Sequence, residues 1–226
     1  MNSSFVSLSV SDGSMMRAYV SQPSSSPVGG LLLFQEAYGV NAYIRSVADR
    51  FAAEGYLVVA PELFHRTAGD GFEAAYTDFE TVRPHFSALS EPGLEADARA
   101  AFDWLKTAGV ENVSSLGFCM GGRVSFIANS ILPLKCAISF YGGGIDALVS
   151  RIPSLHAPML FFWGGEDMHI TRESRQVVRE ALEAAQASYV ETTFADAGHG
   201  FFCDARASFH QRSAELAWPL VLEFLK

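Results

Sequence analysis

The chain has 226 residues, of which 49% are hydrophobic, and a formal net charge of −9. This length and apolar content suffice for one domain with a full core. The acidity argues against a nucleic-acid partner, whose phosphates need a basic surface, and no apolar segment approaches the roughly 20 residues that span a bilayer.

Targeting signals and cysteine usage favour a cytoplasmic protein. Residues 1–5 lack a basic start followed by an apolar run, so we predict no secretory signal and no membrane association. The three cysteines, Cys119, Cys136 and Cys203, are odd in number and widely spaced, which is typical of reduced thiols. They also lack the spacing of metal ligands, so we expect neither a metal nor another cofactor.

The first half of the chain begins with a predicted β-hairpin and then alternates buried strands with helices. Apolar runs too short for helices indicate the buried strands, and Gly55 and Pro61 mark the ends of a helix and a strand. Residues 62–91 contain no strand pattern and are predicted to form a loop with short helices. The predicted elements are hairpin strands 5–9 and 15–20, strand 30–34, helix 43–54, strand 56–60 and helix 93–107.

The second half continues the alternation of strand and helix without a repeat or a linker. Its predicted elements are a strand before Cys119, a helix to Asn129, strands 136–141 and 158–163, helix 172–186, strand 189–194 and helix 209–225. This order predicts a single α/β domain over residues 1–226. We expect a mostly parallel central sheet of about eight strands, with helices on both faces and a short antiparallel start.

A nucleophile-elbow pattern stands at the centre of the chain, in Gly117-Phe118-Cys119-Met120-Gly121. A tight strand-to-helix turn crowds the residues two positions either side of the nucleophile, which requires glycine there. The turn also places Cys119 at a helix N-terminus, where free N–H groups favour a thiolate. Taken alone the pattern is weak, since an isolated cysteine is more often a buried packing residue.

Two further polar side chains follow later strands in the order expected of an α/β-hydrolase. Asp167 follows the next-but-one strand after the elbow, and His199 follows the last strand. Reacting groups of such sheets lie at the carboxyl ends of strands, and nucleophile, acid, histidine is the chain order of this fold. Glu166 is a weaker alternative acid, and Asp196 lies too close in sequence to His199.

These three residues predict a division of chemical labour. Cys119 attacks as a thiolate, His199 stabilises it as an imidazolium and then protonates the leaving alkoxide, and Asp167 fixes the orientation of the ring. Backbone N–H groups of Met120 and of the loop at Ala37 are predicted to form the oxyanion hole.

The chain resembles the dienelactone hydrolase family over nearly its full length. Four separated segments carry the resemblance, and together they are far more specific than the elbow alone. They are Gln35-Glu36-Ala37-Tyr38-Gly39-Val40-Asn41, Ala60-Pro61-Glu62-Leu63-Phe64, Gly117-Phe118-Cys119-Met120-Gly121-Gly122 and Gly198-His199-Gly200-Phe201.

The resemblance implies a monomeric α/β-hydrolase fold with a triad of Cys119, His199 and Asp167. It also implies that Glu36 contacts the resting cysteine and releases it when substrate binds. The implied activity is the hydrolysis of small lactones or esters, with dienelactone as the implied substrate.

One departure from the family concerns the recognition of the substrate carboxylate. The chlorocatechol-pathway enzymes of the family use two arginines, one of them four residues after the histidine, where this chain has Cys203. Arg206 is the nearest arginine, and Arg66 and Arg83 lie in the long segment before the elbow. We take Arg206, Arg83 and Tyr141 as predicted substrate contacts, although any one such arginine is more often a solvated surface charge.

Two other functions remain open at this point. The same triad could act on an ordinary carboxylic ester or thioester, and substrate profiling would separate these from a lactone. A non-catalytic protein could keep the fold and use Cys119 for redox or ligand sensing. The ordered acid behind the histidine argues against a sensor, which needs only a reactive thiol.

Overall fold

The computed structural model describes residues 2–226. Within these residues the chain forms eight strands, six α-helices and one 3-10 helix, and the strands make a mostly parallel sheet of the α/β-hydrolase type. The strands are β1 Asn2–Ser9, β2 Met15–Gln22, β3 Gly29–Phe34, β4 Tyr56–Pro61, β5 Val113–Phe118, β6 Ala137–Phe140, β7 Met159–Gly164 and β8 Tyr189–Phe194. The α-helices are α1 Ala42–Ala53, α2 Phe79–Ser87, α3 Glu91–Thr107, α4 Met120–Ile131, α5 Arg172–Ala184 and α6 Gln211–Leu225.

Contacts within the chain divide it into one compact unit that ends at Ser114 and a second that runs from Ser115 to Lys226. In the first unit the strands lie in the order β1-β2-β4-β3. The predicted hairpin is confirmed: β1 and β2 pair antiparallel, with Ser9 opposite Met15, and Gly13 in the turn has a φ of 87°. Strand β2 is antiparallel to β4, and β3 is parallel to β4.

In the second unit the strands lie in the order β5-β6-β7-β8, and each neighbouring pair is parallel. Phe118, Phe140 and Phe162 stand side by side at the carboxyl ends of β5, β6 and β7. Every residue of these three strands is buried, whereas β8 at the end of the order is partly exposed along its length. The continuous apolar runs of the sequence are explained by this burial on both faces.

The helices agree with the sequence prediction except at their ends. Helix α3 begins two residues earlier than predicted because the Ser90 side chain accepts the Gly93 N–H at 3.2 Å. Helix α5 ends at Ala184, and Gln186 follows in the left-handed region with a φ of 53°. Helix α6 begins at Gln211, since the N–H of His210 is donated to Phe201 outside the helix.

Two stretches of the chain contain no strand, and the structure agrees with the prediction in only one of them. The segment 62–91 contains only α2 and turns, as predicted, and an isolated bridge joins Gly39 to Glu73. The 3-10 helix Asp146–Ser154 was not predicted. Its buried residues Leu148 and Ile152 are four positions apart, a spacing that marks one face of a helical turn.

A buried ion-pair network crosses the first unit. Asp97 on α3 is fully buried, and both of its oxygens accept from Arg66, Oδ2 from Nη1 at 2.9 Å and Oδ1 from Nη2 at 2.8 Å. Oδ1 also lies 3.1 Å from Nε2 of His65. The Nε of Arg66 donates to Asp12 in the hairpin turn at 2.7 Å. The network therefore ties β1–β2, the start of the long segment and α3 together.

No helix within residues 2–226 is long and apolar enough to cross a membrane. The prediction of one domain over the whole chain stays a prediction.

Candidate active site

The turn between β5 and α4 holds Cys119 in a strained backbone conformation. Its φ of 55° and ψ of −117° lie in a region that side chains other than glycine rarely adopt. A Cβ on Gly117 would overlap the carbonyl oxygen of Gly121, and one on Gly122 would come within 2.8 Å of the Phe140 carbonyl oxygen. The turn is thus as tight as the elbow pattern predicts, and the glycines permit it.

Backbone hydrogen bonds fix both sides of the turn. The Cys119 N–H donates to Phe140 at 2.9 Å, which ties the nucleophile position to the end of β6. The Cys119 carbonyl accepts from the N–H groups of Gly122 and Arg123, at 3.0 and 3.4 Å, and so begins α4. The N–H of Met120 belongs to the first turn of this helix, whose amides have no partner within the helix.

Asp167, in the turn after β7, uses its two carboxylate oxygens for different purposes. Oδ1 accepts the backbone N–H groups of His169 at 2.8 Å and Ile170 at 3.1 Å. Oδ2 lies 2.8 Å from Nδ1 of His199. The backbone contacts orient the carboxylate, and the carboxylate in turn orients the imidazole ring.

His199 is held between this acid and Cys119. Burial disfavours its protonated form, but hydrogen bonds with Asp167 and Cys119, together with their charges, outweigh burial and raise the pKa of His199 from 6.5 to about 10. Burial also opposes ionisation of Asp167, yet the bond to His199 and the two backbone N–H groups lower its pKa overall. These contacts favour an imidazolium at His199, beside an ionised Asp167, whenever Cys119 is ionised.

Aromatic rings enclose the imidazole of His199. The rings of Tyr141 and His169 each lie 5.1 Å from it, centroid to centroid, and Phe201 packs against Tyr141 at 5.3 Å. Tyr141 is fully buried and has a φ of 39°. The role of Tyr141 as a substrate contact stays a prediction. The packing of Tyr141 and His169 against His199 was not predicted, because the Gly198-His199-Gly200-Phe201 motif does not indicate which rings lie against the imidazole.

The alternative acids have other surroundings. Glu166 is exposed, and Asp196 lies 3.8 Å from Nε2 of His210. Asp167 is the carboxylate that the structure brings to His199.

The remaining predicted residues fall into different environments. In the first unit, Glu36 is fully buried, Ala37 is also buried, and Arg83 on α2 is exposed and pairs with Glu80. In the second unit, Arg206 lies over the residue beside His199: a Cβ on Gly200 would come within 2.6 Å of its Nη1.

Comparisons with known proteins agree on one family. The sequence model of the dienelactone hydrolase family matches residues 16–226. An Escherichia coli (strain K12) protein provisionally named a carboxymethylenebutenolidase is 35% identical, with 96% of this chain and 84% of that protein aligned. The carboxymethylenebutenolidase of Pseudomonas putida is 28% identical, over 97% of this chain and 94% of its own. A crystal structure from Klebsiella pneumoniae, provisionally described as a dienelactone hydrolase, superposes with a TM-score of 0.87 at 30% identity, covering 100% of this chain and 99% of that one.

Proposed function

Because the chain belongs to the dienelactone hydrolase family and is an ester hydrolase, we propose that it opens small lactones through a triad of Cys119, His199 and Asp167. The observation that carries the proposal is the unbroken line from Asp167 through His199 to Cys119 at a strained strand-to-helix turn. The substrate that the family implies is dienelactone, a five-membered unsaturated lactone that bears a carboxylate.

The first half of the reaction forms a thioester. The Cys119 sulfur attacks the lactone carbonyl carbon, a C–S bond forms, and the carbonyl electron pair moves to oxygen. N–H groups of Met120 and Ala37 stabilise this oxyanion. When the oxyanion collapses, the ring C–O bond breaks, and the imidazolium of His199 gives its proton to the departing alkoxide.

The second half restores the enzyme. His199, now neutral, removes a proton from water while the water oxygen attacks the thioester carbon. Collapse of the second tetrahedral intermediate breaks the C–S bond and returns the thiolate beside the imidazolium. Asp167 holds Nδ1 throughout, so the other ring nitrogen faces the reacting atoms in both halves.

Trapping the thioester tests this proposal. Mixing the enzyme with p-nitrophenyl acetate and quenching with acid should give a mass increase of one acetyl group, located on the Cys119 peptide. The Cys119→Ala variant should show neither the adduct nor the burst of nitrophenol. An acetyl group on another residue, or a burst that survives in the variant, would contradict the triad.

We also propose that Glu36 keeps the resting thiol of Cys119 protonated. Glu36 is a fully buried carboxylate just after the apolar strand β3, a position where ionisation is costly and a partner is required. The family resemblance supplies the partner, the cysteine, and the trigger, which is substrate. Activation would then wait for an acyl group to displace Glu36, after which the thiol proton passes to neutral His199 and leaves the thiolate–imidazolium pair that attacks the carbonyl.

The alkylation rate of Cys119 tests the role of Glu36. Glu36→Gln should react faster with iodoacetamide near neutral pH in the free enzyme, because a charge that opposes the thiolate has been removed. Glu62→Gln, which removes a second buried carboxylate in the same unit, is the matched control and should react like wild type. An alkylation-versus-pH curve of Glu36→Gln that overlays that of wild type would exclude the gate.

Recognition of an anionic substrate is proposed for Arg206, which lies against the residue next to His199. Arg206→Ala should raise KM for carboxylate-bearing lactones by about 10-fold or more, the scale of one hydrogen bond to a charged group. Neutral esters should be unaffected, and Arg212→Ala, on the exposed start of α6, controls for the lost charge. Equal effects on charged and neutral substrates would remove Arg206 from the site.

Two further proposals concern the oligomeric state and the location of the protein. We propose a monomer, as the family resemblance implies, and a location in the cytoplasm, where three free thiols persist. Sedimentation equilibrium at micromolar concentration should give a mass near 24.5 kDa.

A further inference from the structure

A cavity of about 240 Å³ opens between helix α5 and strand β8. It is lined by Arg172, Arg175, Gln176, Arg179 and Thr193, so none of its lining residues belongs to the proposed triad. The chain as a whole carries a net charge of −9. Three guanidinium groups thus line one cavity of an acidic chain, and the carboxylates of Glu173 and Glu191 interact with them.

Two of the lining side chains are held in place by carboxylates. Arg179 binds Glu191 on β8 through two parallel bonds, Nε to Oε2 at 2.8 Å and Nη2 to Oε1 at 3.1 Å. Gln176 donates its amide to Glu180 at 2.7 Å. These hydrogen bonds use donors of Gln176 and Arg179 and hold both side chains at the edge of the cavity.

The other two arginines have donors to spare. Arg172 makes no hydrogen bond or ion pair with any residue from 2 to 226. Arg175 donates Nη1 to the Gly164 carbonyl at 3.3 Å, while its Nε is buried and has no hydrogen-bond partner within that same range. Glu173, the carboxylate between them in sequence, bonds to its own N–H and to Thr171, and the charges of Arg172 and Arg175 further lower its pKa.

The Nε of Arg175 is closed off from solvent and its Nη1 donates to Gly164, so Nη2 is the Arg175 donor that remains for a ligand. We propose that this cavity binds the phosphate group of a small phosphate monoester. Arg172 supplies forked donors and Arg175 its Nη2 on the helix side, and the exposed Thr193 supplies a hydroxyl from the strand side. Donors on two different elements suit a tetrahedral oxyanion, whereas one guanidinium alone satisfies a planar carboxylate.

The size of the cavity leaves room for more than the phosphate group itself. We therefore take the ligand to be an ester rather than free phosphate, with its organic part over Gln176. This proposal is independent of the triad, since binding and hydrolysis are measured separately.

Calorimetry and amide chemical shifts test the site on the whole chain at constant ionic strength. Glycerol 3-phosphate should bind at least as tightly as inorganic phosphate, and malonate should bind more weakly than either. Shifts should centre on α5 and on Thr193. Arg172→Gln should weaken binding of glycerol 3-phosphate by about tenfold or more, the loss expected for charge-assisted bonds, and Arg175→Lys should weaken it while keeping the charge.

Arg212→Gln is the matched control, because Arg212 is also an exposed arginine near the start of a helix, α6, and does not line the cavity. It should leave the affinity within about twofold of wild type, as expected for a distant, screened charge. Equal losses in Arg172→Gln and Arg212→Gln would reduce the effect to net charge and overturn the proposal. The proposal would also be overturned if malonate bound as tightly as glycerol 3-phosphate, or if inorganic phosphate bound and glycerol 3-phosphate did not.

Discussion

The molecule contains two buried pairs of histidine and aspartate, and they differ in what surrounds the carboxylate. His199 meets Asp167 at 2.8 Å in the second unit, and His65 meets Asp97 at 3.1 Å in the first. Asp97 also accepts hydrogen bonds from both Nη atoms of the Arg66 guanidinium. The other hydrogen bonds to Asp167 come from neutral backbone N–H groups.

The difference decides where the negative charge of each carboxylate acts. Arg66 already neutralises Asp97, so little of that charge is left for the imidazole of His65. The charge of Asp167 acts on His199, whose other nitrogen faces Cys119. The side chain of His65 is 1% exposed, and its Nδ1 has no hydrogen-bond partner among residues 2–226, while that of His199 is 12% exposed. The Asp167–His199 pair is therefore suited to catalysis because no guanidinium neutralises its carboxylate and because Cys119 lies at the other side of the ring.

The largest effect is expected from Cys119, the third group that the His65 pair does not have. Cys119→Ala should abolish ester hydrolysis and leave the melting curve unchanged or raised, since the glycines and backbone bonds hold the turn. Cys119→Ser should lose about 100-fold or more, on the order of a general-base contribution, because an alcohol needs a stronger base than this site provides. Steady-state hydrolysis of one aryl ester measures both, and a serine variant equal to wild type would contradict a site adapted to a thiolate.

Exchanging the carboxylates for amides should separate the two pairs. Asp167→Asn should reduce kcat by about 10³- to 10⁴-fold, through loss of the ring orientation and of imidazolium stabilisation. Asp97→Asn should instead lower the free energy of unfolding by about 3 kcal/mol, the scale for removing one partner of a buried ion pair, with kcat nearly unchanged. Urea denaturation and kinetics on both variants give the comparison. Similar losses of activity in the two would show that the pairs are not functionally distinct.

The pH dependence of stability should differ between the variants as well. The pKa of His199 is raised from 6.5 to about 10, so its pairing stabilises the folded chain fully below pH 6.5, and this contribution disappears as the pH rises through about 10. The lowered pKa of Asp167 acts in the opposite direction, contributing above pH 3.8 and fading as the pH falls through the lowered value. Denaturation midpoints between pH 6.5 and 10 should fall less steeply in Asp167→Asn than in wild type.

Unchanged steepness in Asp167→Asn would mean that this carboxylate does not set the ionisation of His199. Asp97→Asn provides the control, since its midpoint should be lower at every pH but follow the slope of wild type.

The smallest effect is expected at His65. His65→Gln keeps a donor toward Asp97, and the Arg66 pair remains, so the free energy of unfolding should change by about 1 kcal/mol or less. The kcat/KM of ester hydrolysis should stay within about twofold of wild type, the change expected for a residue that makes no contact with the transition state. A large loss of activity would give the first unit a catalytic histidine that the geometry does not indicate.

Much of the fold could be predicted because its strands are short continuous apolar runs and its helices have capping residues and glycine stops. The elbow was predictable for a local reason: Gly117 and Gly121 record a steric constraint within five residues. The order of Cys119, Asp167 and His199 then followed from the rule that reacting groups lie at strand ends.

Other features depend on distant contacts that no local pattern records. The contact of Arg66 with Asp97 joins residues 31 positions apart, and the sequence shows Arg66 only as one of the arginines in the long segment before the elbow. The left-handed conformation of Tyr141 was not predictable, because a tyrosine there is held by its packing against His199 and Phe201. The arginine-lined cavity required knowing that Thr193 on β8 lies beside α5.

The backbone at Cys119 has a consequence for the history of such chains. A φ of 55° with a ψ of −117° is unfavourable for any side chain, so glycine at this position would relax the turn and stabilise the fold. A lineage that no longer needed the reaction would gain this backbone relaxation on replacement, at the cost of the contact between Cys119 and His199. Retaining a side chain here therefore marks selection for chemistry against selection for stability. Cys119→Gly should accordingly give a protein that is inert and melts at a higher temperature.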